Sequence, residues 1–189
     1  IDRAFTLTAG RTSSFDVSAG ATILTLYGSS APAAGNLVKT GAGTLRFVSE
    51  FGYGGNTTVS GGTLELYGIA AGLTRSPLVT VGTNATLKLT AAGTIADQVW
   101  NNATVGIESN GVLFGRCDVD HDEVVSGVIL GGAPQPAGST YGSTASAAVH
   151  KDDNYFSGTG MLIILDPFIK ENNTDDLNTA SPFRLTNCS

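Results

Sequence analysis

The chain has 189 residues, 41% of them hydrophobic and 14% charged, with 25 glycines and a net charge of −6. Its ten basic residues are scattered, which excludes a phosphate-backbone partner, since nucleic-acid binders neutralise phosphates with clustered Lys and Arg. Enough Val, Ile, Leu and Phe remain to bury a core, while the longest apolar run, residues 161–165, is far below the roughly 20 residues of a membrane-crossing helix.

Glycine interrupts every segment in which apolar residues recur at helical spacing. Short alternating segments bounded by Gly, Asn, Ser and Thr recur instead, which predicts strands. In chain order they are AFTLTAG (4–10), SFDVSAG (14–20), TLRFVS (44–49), TTVSGGTLELYG (57–68), LVTVG (78–82), ATLKL (85–89) and ATVGIES (103–109). A larger unit repeats through them. Val17 precedes SAGATILTL, Val38 precedes KTGAGTLRF, Val59 precedes SGGTLEL and Val81 precedes GTNATLKL, at separations of 21, 21 and 22 residues. Ile107 before ESNGVLF follows 26 residues later. Each unit is an apolar residue, a Gly/Ala/Asn corner, and a strand with alternating apolar positions: Leu45 and Phe47, Leu64 and Leu66, Leu87 and Leu89.

Self-similarity at about 20 residues predicts a solenoid, one coil per repeat. At about 3.3 Å per residue, one repeat closes a turn of three short sides. Equivalent strands then pair in parallel about 4.8 Å apart, and like residues stack, here a column of Val17, Val38, Val59 and Val81. Glycine at the corners reaches left-handed backbone conformations at little steric cost. A β-sandwich also has short strands and frequent turns, but it does not demand recurrence of the whole valine–corner–strand unit.

The stretch NLVKTGAGTLRFVSEFGYGGNTTVSGGTLELYG resembles the autotransporter-associated β-strand repeat. The matching positions are Leu37, Lys39, Gly41, Gly43, Thr44, Leu45, Tyr53, Gly55, Thr57, Val59, Gly62 and Leu64. GAPQPAGSTYGSTASAAVHKDDNYFSGTGMLIIL is similar to the closing module of secreted bacterial proteins that carry such repeats. The resemblance implies an exported, all-β, right-handed parallel β-helix (β-solenoid) acting as passenger, adhesin or scaffold, and the repeat period gives it about five to seven short coils. It carries over no catalytic residue. The expected organisation is a solenoid domain over 1–165, including the closing module at 125–165, and a C-terminal extension over 166–189. The chain departs from the family in being short, in having one clear consensus repeat, and in continuing past the final strand without a C-terminal barrel. Self-encoded autotransport is therefore not expected of it. The start at Ile1, with no charged-then-apolar leader, is expected to reflect a removed signal peptide or a processed fragment, and the expected location is secreted or extracellular, at the cell surface.

The sharpest chemical cluster is CDVDHDEVV. Asp118, Asp120 and Asp122 alternate, and such carboxylates repel unless solvated or bridged by a hard cation, calcium being the candidate metal. An EF-hand is rejected, because position six is Glu123 and position twelve is Ile129. A solvated acidic face is the plainer reading, and no other cofactor is expected. His121 and His150 are the only histidines and no G-x-S-x-G elbow exists, so nucleophilic hydrolysis is not expected. β-Helix polysaccharide lyases pair calcium-binding carboxylates with a basic residue, of which Arg116 beside the cluster is the one echo. Cys117 and Cys188 are either a disulfide or two unrelated thiols. Sequons stand at Asn56, Asn84, Asn102, Asn172 and Asn187, where Asn also serves as an ordinary corner residue. Trp100 and the scattered tyrosines read as core and rim packing.

Solenoid ends present unpaired backbone groups, a template for edge pairing. Phe183 and Leu185 in the tail, and Phe5 and Leu7 in the first strand, are the expected inter-subunit residues, unless the tail latches back on its own chain. The functional expectation is a non-enzymatic extracellular protein whose partner is itself, assembling into a filament or layer. A monomeric adhesin or binder of surface glycans comes second, and a β-helix polysaccharide lyase third.

Overall fold

The structure, a computed structural model of the chain, describes residues 1–91 and 97–166. Among these residues there is no helix, and so none long and apolar enough to cross a membrane. The chain winds as a β-solenoid of about five turns, each with up to three short sides. The first turn holds β1 (Thr12–Asp16) and β2 (Ile23–Leu26); the second β3 (Asn36–Thr40), β4 (Thr44–Phe47) and β5 (Glu50–Phe51). The third holds β6 (Thr57–Val59), β7 (Gly62–Tyr67) and β8 (Gly72–Leu73), and the fourth β9 (Leu78–Val81) and β10 (Ala85–Thr90). The fifth holds β11 (Thr104–Ile107), β12 (Arg116–Val119) and β13 (Glu123–Val125). The closing segment contains β14 (Gly127–Leu130), β15 (Ala133–Pro134), β16 (Ser139–Gly142), β17 (His150–Lys151), β18 (Phe156–Ser157) and β19 (Met161–Ile164).

The first face is a parallel sheet in the order β1-β3-β6-β9-β11-β14, and the second a parallel sheet in the order β2-β4-β7-β10-β12-β18. The third face is slighter: bridges join Phe5 to Ser30, Ser30 to Phe51 and Leu73 to Val99, and β5 pairs with β8. Apolar side chains of the second face stack inward as Leu24–Leu45–Leu64–Leu87–Cys117–Phe156 and Leu26–Phe47–Leu66–Leu89–Val119. All six apolar positions expected to face inward, Leu45, Phe47, Leu64, Leu66, Leu87 and Leu89, are buried. Burying a leucine removes about 1.5–3 kcal/mol of exposure cost, so these columns are the main source of axial cohesion. Phe47 and Phe51 stack at 3.9 Å between ring centroids, joining second face to third.

The expected valine column is corrected by the register. The inner columns of the first face are Phe15–Lys39–Val59–Val81–Ile107–Leu130 and Ser13–Leu37–Thr57–Val79–Val105–Val128. Val59 and Val81 share a column, whereas Val38 lies in the outer one with Ser14 and Thr58, and Val17 lies beyond β1 at the corner. A side-chain period of two makes a one-residue offset an inside-out exchange. The inner place that Val38 would hold goes to Lys39, whose stem is buried. A second difference follows Ile107. ESNGVLF makes no second-face strand; it forms a protruding turn closed by an antiparallel Ser109–Phe114 bridge, with Val112 82% exposed, and the strand starts at Arg116.

The KTGAGT corner shows why glycine concentrates there. Gly41 has φ 76°, and a Cβ on it would fall on the Val17 carbonyl and the Asp16 carboxylate of the preceding coil. Gly41→Ala is therefore expected to lower stability by about 1–3 kcal/mol, read as a lower urea midpoint with an unchanged slope.

On the outer side of the second face charges alternate rung by rung. Arg46 Nε lies 2.6 Å from Glu65 Oε2, and Lys88 Nζ lies 3.8 Å from Glu65 and 3.9 Å from Asp118. Strands 4.8 Å apart would repel if these side chains shared a sign; alternation turns the ladder into cohesion.

Candidate functional site: the two ends of the solenoid

The two ends differ. At the N-terminal end, residues 1–10 lie over the second and third faces. The Ile1 amine donates to Thr25 O at 2.8 Å, and Tyr27 N donates to Ile1 O at 2.7 Å. Phe5 N donates to Ser29 O at 3.2 Å and Ala31 N to Phe5 O at 3.0 Å. The first face receives no such cover: among the described residues β1 pairs with β3 alone. Its other edge therefore presents unpaired backbone groups, and its inward residues Ser13 and Phe15 are only half-buried.

At the opposite end, strand direction reverses. β15 pairs antiparallel with β14, placing Pro134 opposite Ile129, and β16 pairs antiparallel with β19, with β17 beyond it. Proline has no N–H to give a further strand, so this edge is blunted. The closing loop is tied by Asp153, which accepts from Thr144 N at 2.8 Å and Thr144 Oγ1 at 2.7 Å. Phe156, which follows it, packs under Cys117 in the second-face column.

The three aspartates do not converge. Asp118 faces outward on β12, where it accepts from Ser157 Oγ at 3.1 Å and lies near Lys88. Asp120 is exposed at the corner, where its carboxylate accepts from Ala91 N at 3.0 Å, and Asp122 is exposed beyond it. Among the described residues no three His, Cys, Asp or Glu side chains are grouped to hold a metal ion. Alternation along one continuous strand would keep all three on one face, but β12 ends at Val119 and the corner at Asp120 separates them. Cys117 is fully buried in the second-face column, and burial pushes its thiol pKa up. Its candidate partner Cys188 lies outside the described residues, as do Phe183, Leu185, Asn172 and Asn187. Asn56, Asn84 and Asn102 are exposed corner residues, Asn84 with φ 62°. Leu7 is buried in its own chain, and Phe5 meets Phe15 at 5.5 Å and Phe51 at 5.6 Å, so both already belong to the first turn's core.

Two buried polar arrangements escaped the reading by residue type. Lys39 has no exposed surface, and its ammonium donates to Thr40 O at 2.6 Å, Gly41 O at 2.9 Å and Gly61 O at 3.1 Å. It thereby ties the corners of the second and third turns. Burial lowers its pKa, and the Asp16 carboxylate pushes the other way.

The second arrangement closes a gap. No third-face ladder joins Val99 to β13 among the described residues. The Glu123 carboxylate stands in for it, accepting from Gln98 N at 3.1 Å and Val99 N at 2.9 Å. His121 is held between two carboxylates, with Nε2 2.9 Å from Glu123 and Nδ1 2.9 Å from Asp120. Burial would lower the His121 pKa, but hydrogen bonds to Glu123 and Asp120 outweigh it and the net shift is upward. Burial also raises Glu123, a rise that the His121, Val99 and Gln98 hydrogen bonds only partly offset. A histidine and a glutamate two residues apart were visible in the sequence; what they reach was not.

The motif positions prove to be architectural. Leu37, Leu45, Val59 and Leu64 are core, Lys39 is the corner tie, and Gly41 is the left-handed turn residue. The buried Tyr53 hydroxyl lies 2.6 Å from Thr57 Oγ1, which lies 2.8 Å from Ser76 Oγ, a polar file running through the corner between turns. Residues 37–66 match the family model described as passenger-associated-transport-repeat. No curated protein and no solved structure matches the chain. With its β-solenoid fold, the chain thus carries a passenger-associated-transport-repeat, the autotransporter-associated unit that its Leu37–Leu64 motif resembles.

Proposed function

We propose that this chain is an exported structural module of the passenger type that self-assembles by terminal-strand addition. The connector is the tail segment around Phe183 and Leu185, and the acceptor is the open edge of β1 on a neighbouring copy. The observation that carries the reading is the asymmetry of the ends: the five-residue parallel edge of β1 stands opposite an end where reversed strands close two faces and the second face stops at the two-residue β18. Direct stacking of whole coils would meet antiparallel edges on two faces, so a single added strand is the better fit. Added to β1 as a strand, a segment with Phe183 and Leu185 two residues apart would set both on one side, over half-buried Ser13 and Phe15. Main-chain pairing supplies affinity in such additions and the alternate side chains supply register. The contact is heterologous and does not close on itself, so it propagates as a filament.

Light scattering coupled to size-exclusion chromatography, with negative-stain microscopy, checks this. The full chain is expected to form linear assemblies, and Phe183→Asp with Leu185→Asp to return it to a monomer of unchanged circular dichroism. A full chain that stays monomeric at high concentration overturns the reading. A second reading, an adhesive module that binds glycans, has its own supporting observation in the groove described next.

A further inference from the structure

We propose that a groove along the third face binds an uncharged glycan chain lengthwise. Three adjoining hollows lie there and meet at Thr74, with volumes of about 430, 340 and 360 Å³. Glu50 and Thr74 line both the first and the second, and Thr74 and Asp97 line both the second and the third, so the three form one trough. The floor is set by the third-face register. Ser30 pairs with Phe51, β5 with β8, and Leu73 with Val99, which puts Gly52, Thr74 and Trp100 in successive rungs on the outer side. Glycine at 52 leaves the floor bare, and Glu50 and Arg75 line the same hollow. From Ser30 to Trp100 the trough crosses four rungs, roughly 14 Å, the reach of an extended oligomer rather than a compact metabolite.

The chemistry of the lining selects the occupant. Trp100 offers an aromatic face at one end, half-buried and braced against the core. Ser, Thr and Asn side chains line it together with two exposed carboxylates, Glu50 and Asp97, and one guanidinium, Arg75, while Val48, Ile69 and Ala70 give the middle hollow an apolar side suited to sugar ring faces. That set can accept from and donate to many hydroxyls while its net charge disfavours a polyanion. Small-molecule sites are mostly apolar and enclosed; this one is long and open, and its lining mixes polar with apolar groups. The trough runs along the side of the solenoid and leaves both ends uncovered, so occupancy here is independent of strand addition at β1.

Trp100 is the only tryptophan in the chain, so its emission reports on the groove directly. The experiment titrates the full chain with cellohexaose and chitohexaose, with hexagalacturonate as the polyanion and an extended hexapeptide as the polymer of another class. A saturable emission change is expected for at least one neutral hexasaccharide, at least tenfold tighter than for its disaccharide. Gly52→Leu should abolish it, because a Cβ at Gly52 meets nothing closer than Thr74 Oγ1 at 3.7 Å and the variant fills the trough without straining the fold. Glu50→Gln should weaken it severalfold at an unchanged unfolding midpoint. No response to either neutral oligomer, a tighter response to hexagalacturonate or the hexapeptide, or full binding by folded Gly52→Leu would each overturn the proposal.

Discussion

Lys39→Ala is expected to lower the unfolding free energy by about 3 kcal/mol or more, the largest loss from any single polar substitution in the repeat. Two effects add. Truncation empties the inner place between Phe15 and Val59, and removal of the ammonium takes a donor from the carbonyls of Thr40, Gly41 and Gly61, of which Thr40 O keeps its bond from Val17 N. Lys39→Met separates them, because methionine keeps most of the stem and loses only the donors; about 1–3 kcal/mol should be lost. Urea denaturation followed by circular dichroism reads both. If Lys39→Met proves as stable as the parent, the corner carbonyls do not need the ammonium and the tie between turns is packing alone.

Glu123→Ala should cost about 3–5 kcal/mol, since it strips the Gln98 and Val99 amides and His121 Nε2 of their buried acceptor. Loss should be local before it is global: amide exchange at residues 97–99 and 121–125 should rise first, while β3 to β7 stay protected. The same clamp sets a pH dependence. The folded chain holds the His121 proton more tightly than the unfolded chain does, so this contribution is complete below the ordinary histidine value of 6.5 and is lost as pH rises through the raised value. The raised Glu123 value acts in the same sense from 4.5 upward. Stability measured from pH 6 to 9 should therefore fall, and fall less in His121→Gln. Proton NMR can follow the titration directly, because the other histidine, His150, stacks on Tyr141 and lies in a different environment. A flat profile in the parent chain would remove His121 from this role.

What the amino-acid order determined is the winding. The recurrence near 20 residues, the alternation at Leu45/Phe47, Leu64/Leu66 and Leu87/Leu89, and the glycine corners each follow from local rules, the period of two along a strand and the steric freedom of Gly41. The motif from Leu37 to Leu64 was legible for the same reason: each position serves its own turn or the next. Three things were decided only in three dimensions. Register was one, because Val38 and Lys39 are equally placed by spacing, and only the reach of the ammonium to three corner carbonyls turns the lysine inward. The acidic stretch was another. One-dimensional alternation grouped Asp118, Asp120 and Asp122, whereas the corner disperses them and joins Asp120 and Glu123 through His121 to amides more than twenty residues away. The last was the inequality of the two ends and the trough between turns, which arise where strands from distant coils meet or fail to meet. Periodicity is a property of neighbours along the chain, while edges, gaps and grooves belong to neighbours in space.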